Sequence, residues 1–459
     1  MMKKSLLKKL IIAAFWIIVW QVVAMIVASP LLLPSPAATA GSLIKLLGDG
    51  GFYLDALATI ARCAIAIVMS LIAGTLLSLA SYKWQVIRDV LSLPVAIFKA
   101  VPIMAIAIYM LFLLSAGNVP TLVCFIMCFP IVYTNLLTGL DSMDNSYLEM
   151  AKVYGLDDAR IVKYIYIPSM FPYFKSALSI ISGMSWKAVV TAEVLSVPQF
   201  SLGYELMNAK YYLETETLFA YVIAIVVIAI IFEKIIKAVL ERMSPSDYSY
   251  SKIRRREKKN YCSCDNCKLE SGELVIDNLS KSFGDKQVLS HLNLKAESAK
   301  VTALMAPSGS GKTTLLRIIC GIEQADEGRV VAPERIAVLF QEDRLLPWLN
   351  VYDNLALICN EDERIINVLK AVGLGEEKFK LPKHLSGGMN HRVAMARTFL
   401  YGASLLIFDE PFRGLDEDTR EAVVKNLWEP YTRGKTVLLI THDQDIAEEL
   451  AETIERGTL

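Results

Sequence analysis

The sequence predicts a multidomain chain, an all-α membrane domain of six spans followed by a soluble α/β domain, on three observations. The 459 residues are 54% hydrophobic with mean hydropathy +0.42, too apolar for an ordinary soluble enzyme and long enough for two or three domains. The apolar residues are concentrated before Ser244, in stretches long enough to cross a bilayer as helices. From Glu273 onward, short apolar runs alternate with helical ones around a glycine-rich turn. Lys plus Arg and Asp plus Glu number 47 each, so no global field points to a nucleic-acid partner.

The first candidate span is residues 10–29, LIIAAFWIIVWQVVAMIVAS, which carry no formal charge and are long enough for a hydrocarbon core of roughly 30 Å. The basic head KKSLLKK before it would suit a signal peptide. The apolar run is longer than a signal core and no small-residue cleavage site follows, so an uncleaved span is expected. Further spans are expected at residues 58–81, 90–114, 120–140, 172–195 and 218–236, with Pro94, Pro102 and Pro130 inside them. Basic residues cluster before the first span and after the second, fourth and sixth. With six spans all of these lie on one side, so the positive-inside rule puts both termini and the segment after the fourth span in the cytoplasm. In the fifth span, SGMSWKAVVTAEVLS places Lys187 and Glu193 near lipid depth. Ionisable groups there form a structural pair, snorkel, or line a translocation path.

These boundaries divide the chain into a membrane domain over residues 1–243, a polar linker over 244–272 and a soluble domain over 273–459. The linker carries Cys262, Cys264 and Cys267. A metal site normally needs a fourth ligand, and no partner pair with metal spacing follows, so reduced thiols are expected.

In the soluble domain the run VTALMA leads into APSGSGKTT, residues 306–314, and then into a helical run. Glycines and a helix N-terminus aim backbone N–H groups at one point, a cradle for the β-phosphate of a nucleotide. Lys312 neutralises its charge and the Thr313 hydroxyl reaches Mg²⁺. Ser308, Gly309, Gly311 and Thr314 complete the loop, and Ala306 stands where the pattern asks for Gly. Downstream, LLIFDEP is a buried strand ending in two acids. Asp409 is placed to hold Mg²⁺ through its water shell and Glu410 to polarise an attacking water. Gln341 in VLFQEDRLLPW, Ser386, Gly387 and Gly388 in LSGGM, Asp416 in GLD and His442 in LLITHD follow in order.

That order and spacing resemble the ATP-binding-cassette ATPases over the whole soluble domain, which implies an antiparallel β subdomain beside the α/β core. The resemblance implies that Phe283 stacks on adenine, that Gln341 senses Mg²⁺ and the membrane domain, and that His442 contacts the γ-phosphate. It also implies that Ser386, Gly387 and Gly388 begin a helix aimed at a nucleotide held by a second cassette, so two complete sites need two chains. The chain departs from the family pattern at Ala306, Asn390, His391 and Arg413, and in a shorter stretch between Lys312 and Gln341.

Residues 148–168, LEMAKVYGLDDARIVKYIYIP, far exceed what a hairpin between two spans needs. They resemble the cytoplasmic loop of ATP-binding-cassette importer permeases, with Glu149, Met150, Ala151, Gly155, Ile165, Ile167 and Pro168 at the motif positions. Gly155 allows a turn between two helical pieces, and the resulting knob is expected to sit in a groove on the ATPase beside Gln341. LLLPSP, FKAVPIMAIAIYMLF, SWKAVVTAEVLS and FQEDRLLPW are similar to the nitrate/sulfonate/taurine class, whose permease and ATPase are usually separate polypeptides. The resemblance implies a translocase using ATP and Mg²⁺. It further implies a homodimer, or a heterodimer with another half-transporter, in the lipid of a cell membrane, that accepts from an extracytoplasmic binding protein a sulfonate, nitrate, taurine-like anion or thiamine-precursor-like molecule. The alternatives are a half-transporter exporter and a non-transporting, membrane-bound regulatory ATPase.

Overall fold

The computed structural model describes residues 2–242, 272–307 and 309–456; Ser308 and the linker cysteines Cys262, Cys264 and Cys267 lie outside the described residues. The chain forms two compact units. One takes the residues up to Met143 and resumes at Ser169, and the other joins Asp144–Pro168 to the C-terminal residues.

The first unit is helical: α1 (Met2–Val27), α2 (Pro36–Leu47), α3 (Gly50–Lys83), α4 (Gln85–Ala100), α5 (Ile103–Met110) and α6 (Val119–Asp141) precede the break. The helix α9 (Ile167–Ser196) runs across the unit boundary, and α10 (Leu202–Tyr211) and α11 (Thr215–Arg242) follow it. Four stretches among the described residues are long and apolar enough to cross a bilayer: α3, α6, Asp158–Ser196 and α11. The expected third span, 90–114, is instead the pair α4 and α5, bent by 103°. The bend has a local cause. Pro102 disfavours the helical conformation for the residue before it, and Val101 is extended at φ −73°, ψ 130°. Counting that pair as one span gives five, against the six expected; the apolar part of α1, Ile11–Val27, is shorter than the others.

The α3 face that packs on α6 is built from small residues at helical spacing. Thr59, Cys63, Ala66, Ser70, Gly74, Ser78 and Ser81 are all buried, a spacing of three to four residues that keeps them on one stripe. Close approach is obligatory at Gly74, where a Cβ would lie 2.6 Å from Val132 Cγ1 of α6. Lipid supplies no hydrophobic drive to helix pairing, so such contact and cross-helix hydrogen bonds hold the unit, among them Tyr133 Oη to Ser81 Oγ at 3.0 Å.

Glu193 is fully buried, and its partner is not Lys187, which is exposed. Arg62 of α3 donates from Nη1 to Glu193 Oε1 at 2.7 Å, Thr59 Oγ1 donates at 3.0 Å, and the Gly203 amide donates to Oε2 at 3.2 Å. Arg62 also donates to the carbonyls of Gln199 and Phe200, fastening the turn between α9 and α10. Only glycine fits at 203, where a Cβ would stand 2.4 Å from Glu193 Cβ.

The second unit opens with α7 (Asn145–Val153), capped by Asp144, whose side chain accepts from Ser146 N at 2.8 Å. Gly155 at φ +60° turns the chain before the short helix α8 (Asp158–Ile161) and a π-helical stretch, Val162–Tyr166. In the C-terminal part, β1 (Leu274–Phe283), β2 (Lys286–Ala296) and β4 (Glu327–Val331) form an antiparallel sheet in the order β2-β1-β4. The strands β3 (Val301–Met305), β5 (Ile336–Leu339), β6 (Leu405–Asp409), β7 (Thr436–Thr441) and β8 (Thr453–Arg456) form a parallel sheet ordered β5-β6-β7-β3-β8. Every residue of β6 and β7 is buried, which explains why their sequences run apolar without alternation.

Two substitutions test the packing of the helical unit, with thermal unfolding of the detergent-solubilised chain as the readout. Arg62→Ala leaves the Glu193 carboxylate buried without its cation and is expected to destabilise by about 3–5 kcal/mol. Gly203→Ala forces a methyl against Glu193 and is expected to cost about 1–3 kcal/mol. Unchanged melting in both would show that neither contact bears on the fold.

Candidate nucleotide site and the segment docked beside it

The site grows out of the parallel sheet. Met305 of β3 lies opposite Thr441 of β7, and Asp409 of β6 opposite Ile440, so the three strands stop at one level. The residues just beyond them converge at the carboxyl ends of the strands, where open α/β sheets place their ligands. A cavity of about 290 Å³ opens there, lined by Gly309, Gly311, Lys312, Thr313 and Thr314 from the loop. Gln341, Asp409, Glu410, Arg413 and His442 close it from the other strands.

The loop has the backbone its sequence requires. Gly309 and Gly311 stand at φ +82° and +96°, and a Cβ at Gly311 would come within 3.0 Å of Val288 and Leu289. Ala306, where the pattern asks for glycine, is buried, is not among the residues with positive φ, and accepts a hydrogen bond from Lys312 Nζ at 3.2 Å. Its methyl therefore costs no backbone strain. The helix Lys312–Ile319 starts directly from Gly311.

Two acids meet one cation at the cavity wall. Glu410 Oε1 lies 3.6 Å from Lys312 Nζ and accepts from His442 Nδ1 at 2.6 Å. Glu410 itself sits at φ +52°, a strained conformation for a residue with a side chain. Burial pushes the Asp409 carboxyl up to about 6, against the pull of Lys312. Asp409 Oδ1 is buried without a hydrogen-bond partner, an oxygen that a hydrated divalent cation would satisfy. With the Thr313 hydroxyl and Gln341 on the same cavity, the residues present fit Mg²⁺.

Other expected nucleotide contacts lie away from this cavity. Phe283 is half exposed at the end of β1, with Lys281 Nζ 5.2 Å over its ring. Ser386 caps the helix Gly387–Leu400, accepting from Met389 N at 3.2 Å, and its end is exposed. Gly388 packs against the chain after Glu410, where a Cβ would be 3.1 Å from Gly414 O. Asp416 caps the helix Glu417–Val423, and hydrogen bonds from Thr419 hold its carboxyl below the usual range.

The segment Asp144–Pro168 is fastened to the elements that bear this site. Glu149 lies between two guanidinium groups, Arg317 of the helix Lys312–Ile319 and Arg344 three residues after Gln341, each at 3.0 Å. Lys152 Nζ donates to Gly321 O at 2.9 Å, and Ala151 is fully buried. Tyr154, also buried, donates to Val338 O at the end of β5 and lies 3.1 Å from Thr398 Oγ1 on the helix Gly387–Leu400. At the far end, Pro168 has no N–H to offer the Tyr164 carbonyl four residues before it, and that carbonyl accepts from Trp348 Nε1 at 2.8 Å. Sequence reading assigned no role to Arg317, Arg344 or Trp348, though the run FQEDRLLPW, which contains two of them, carried a signal. Arg413 stood out only as a departure from the family pattern.

Residues 289–413 match the ABC transporter family, and residues 66–245 match the family described as binding-protein-dependent transport system inner membrane component. An aliphatic sulfonates import ATP-binding protein, SsuB 1 of Paracoccus denitrificans, is 40% identical over 190 residues, 40% of this chain and 78% of that protein. SsuB 2 of Rhodococcus jostii is 41% identical over 201 residues, 42% of this chain and 82% of that one. SsuB 3 of Pseudomonas savastanoi is 38% identical over 194 residues, 39% of this chain and 71% of that one. With a phosphate-binding loop, two acids and a histidine on one cavity and a membrane-type helical unit in the same polypeptide, the chain belongs to the ABC transporter family, as a fused permease and ATP-hydrolysing cassette.

Proposed function

We propose that this chain is an ATP-driven importer of a small sulfonate-class anion, delivered by an extracytoplasmic binding protein and moved by a homodimer of the fused chain. The observation that carries this reading is the docking of Asp144–Pro168 among the elements of the nucleotide site, in a chain whose membrane part matches binding-protein-dependent permeases. The names of the relatives support a sulfonate as cargo. An exporter would not be expected to carry that permease domain, and a regulator would not need the docked segment.

In this reading the permease is residues 1–243 with six spans, 244–272 is a linker and 273–459 is the ATPase, with both termini and the ATPase in the cytoplasm. Phe283 stacks on adenine, Lys312 and the loop with Ser308 hold the phosphates, and Thr313, Asp409 and Gln341 would hold Mg²⁺, which supplies charge neutralisation on the phosphates. Glu410 takes a proton from the attacking water, oriented by His442. Ser386 and its glycines, exposed and away from the chain's own cavity, suit the nucleotide of a second copy, whose binding closes two sites at once. Asp416 lies next to that closure. Closing moves the helix Lys312–Ile319 and the loop after Gln341, and Glu149, paired to both, transmits the movement into α6 and α9, with which its segment is continuous. Gly155 and Pro168 set the angle of that lever. The work comes from the difference in nucleotide affinity between open and closed dimers.

Vesicles holding the chain and its binding protein, offered labelled sulfonates, nitrate, taurine and thiamine-precursor pyrimidines, should accumulate a sulfonate, and Lys312→Ala should abolish uptake. Robust hydrolysis without accumulation of any of them would sink the importer reading. Glu410→Gln should bind ATP and lose hydrolysis by about a hundredfold or more, as loss of a general base predicts; wild-type turnover in that variant would refute the assignment. Glu149→Ala should separate the two activities, with ATP hydrolysis kept within about threefold and uptake lowered about tenfold or more, the expected consequence of stripping a half-buried pair from a lever. Parallel loss of both activities would argue against a transmitting role.

A further inference from the structure

His391 departs from the family pattern and is absorbed by none of the roles above. It is buried, in the second turn of the helix Gly387–Leu400, five residues after Ser386. Its two ring nitrogens face two acceptors. Nε2 lies 3.0 Å from the carbonyl oxygen of Pro411, and Nδ1 lies 2.8 Å from Asp343 Oδ1. A carbonyl oxygen only accepts, so Nε2 donates to Pro411, and Nδ1 faces the Asp343 carboxyl group on the other side of the ring.

The positions of its partners give this side chain a purpose. Pro411 follows Glu410, whose backbone is held at φ +52°, and Asp343 lies two residues after Gln341. One side chain therefore ties three pieces of the site together: the helix that begins at Ser386, the loop that carries Gln341 and the turn that carries Glu410. The same loop is fastened a second time from the same helix, where buried Arg397 donates to the carbonyls of Asp343 and Arg344 at 2.8 and 2.9 Å. Arg397 reaches the loop and lies 5.3 Å over the Tyr154 ring, while His391 reaches the loop and the turn after Glu410.

We propose that His391 is a positioning residue for ATP hydrolysis, a ring that fixes the Glu410 turn against the Gln341 loop. This rests on the reading of Glu410 as the group that polarises water. The ring does not line the nucleotide cavity. It acts by limiting where the Glu410 carboxylate can point, so its loss lowers kcat and leaves ATP binding largely intact.

The test is steady-state ATP hydrolysis by the full chain in proteoliposomes with its binding protein. His391→Phe keeps the ring volume and removes both ring nitrogens; it should lower kcat about tenfold with KM for ATP within about twofold, the scale of one or two lost hydrogen bonds. His391→Gln, which keeps an amide donor, should recover most of that loss. Asp343→Asn should lower kcat by less, and the double variant His391→Phe/Asp343→Asn should match His391→Phe alone, because the two groups act as a pair. A kcat for His391→Phe within twofold of wild type, or losses that multiply in the double variant, overturns the proposal. Should His391→Phe fail to fold, Asp343→Asn and His391→Gln decide: wild-type kcat in Asp343→Asn overturns it. Glu410→Gln run alongside separates the two readings. If that variant hydrolyses ATP normally, the base assignment fails; if it is dead while His391→Phe is unimpaired, only the positioning role fails.

Discussion

Because β3, β6 and β7 pair in parallel and end level with one another, the residues that follow each strand are delivered to a single edge of the sheet. A phosphate-binding loop, two acids and a histidine drawn from more than a hundred residues of chain meet there. Burial of the strands is what allows this register, and it also raises the electrostatic stakes. Asp409 and Glu410 share the edge with Lys312, in surroundings poor in water, so each charge depends on its neighbours. The unpartnered oxygen of Asp409 and its raised carboxyl are two signs of one condition, an acid buried at the edge of the cavity.

The same edge is tied to elements on its flank through short, directional contacts. Glu149 spans the helix after the loop and the stretch after Gln341, Tyr154 spans β5 and the helix begun by Ser386, and Trp348 donates to the Tyr164 carbonyl. Glu149 and Tyr154 each join two parts of the cassette, so the segment is held by both parts at once. Its apolar and aromatic content is therefore as important as its charges: Ala151 and Tyr154 are buried, and Tyr147 and Tyr154 make edge-on ring contacts with Trp348 and Tyr401.

The helical unit solves a different problem with similar means. In lipid the α3 and α6 helices gain nothing from excluding water, so small residues admit close contact, and polar side chains find partners across the seam. Glu193 is the extreme case, an acid with no exposure whose oxygens are taken up by Arg62, Thr59 and the Gly203 amide. The pair fastens the turn between α9 and α10, which contains the left-handed residues Val197 and Phe200.

Much of this molecule was legible in the chain itself, wherever the physical signal is local. Span length, the glycine-rich loop, the strand ending in two acids and the turn at Gly155 each depend on residues within a few positions of one another. Their meaning is set by backbone geometry alone. The bend at Pro102 was also written locally, through the effect of proline on Val101, though the proline was placed inside one span over 90–114. Pairings between distant residues could not be read. Arg62 and Glu193 are 131 positions apart and Arg344 and Glu149 are 195 apart, and Lys187, only six residues from Glu193, turns outward instead. The sequence by itself determined which local elements form and what chemistry the loop and strand ends carry, because periodicity and turn residues act over short range. Only the tertiary structure decided which charges and polar groups meet, including His391 with Asp343 and the Pro411 carbonyl, because that depends on which faces of distant helices and strands are packed together.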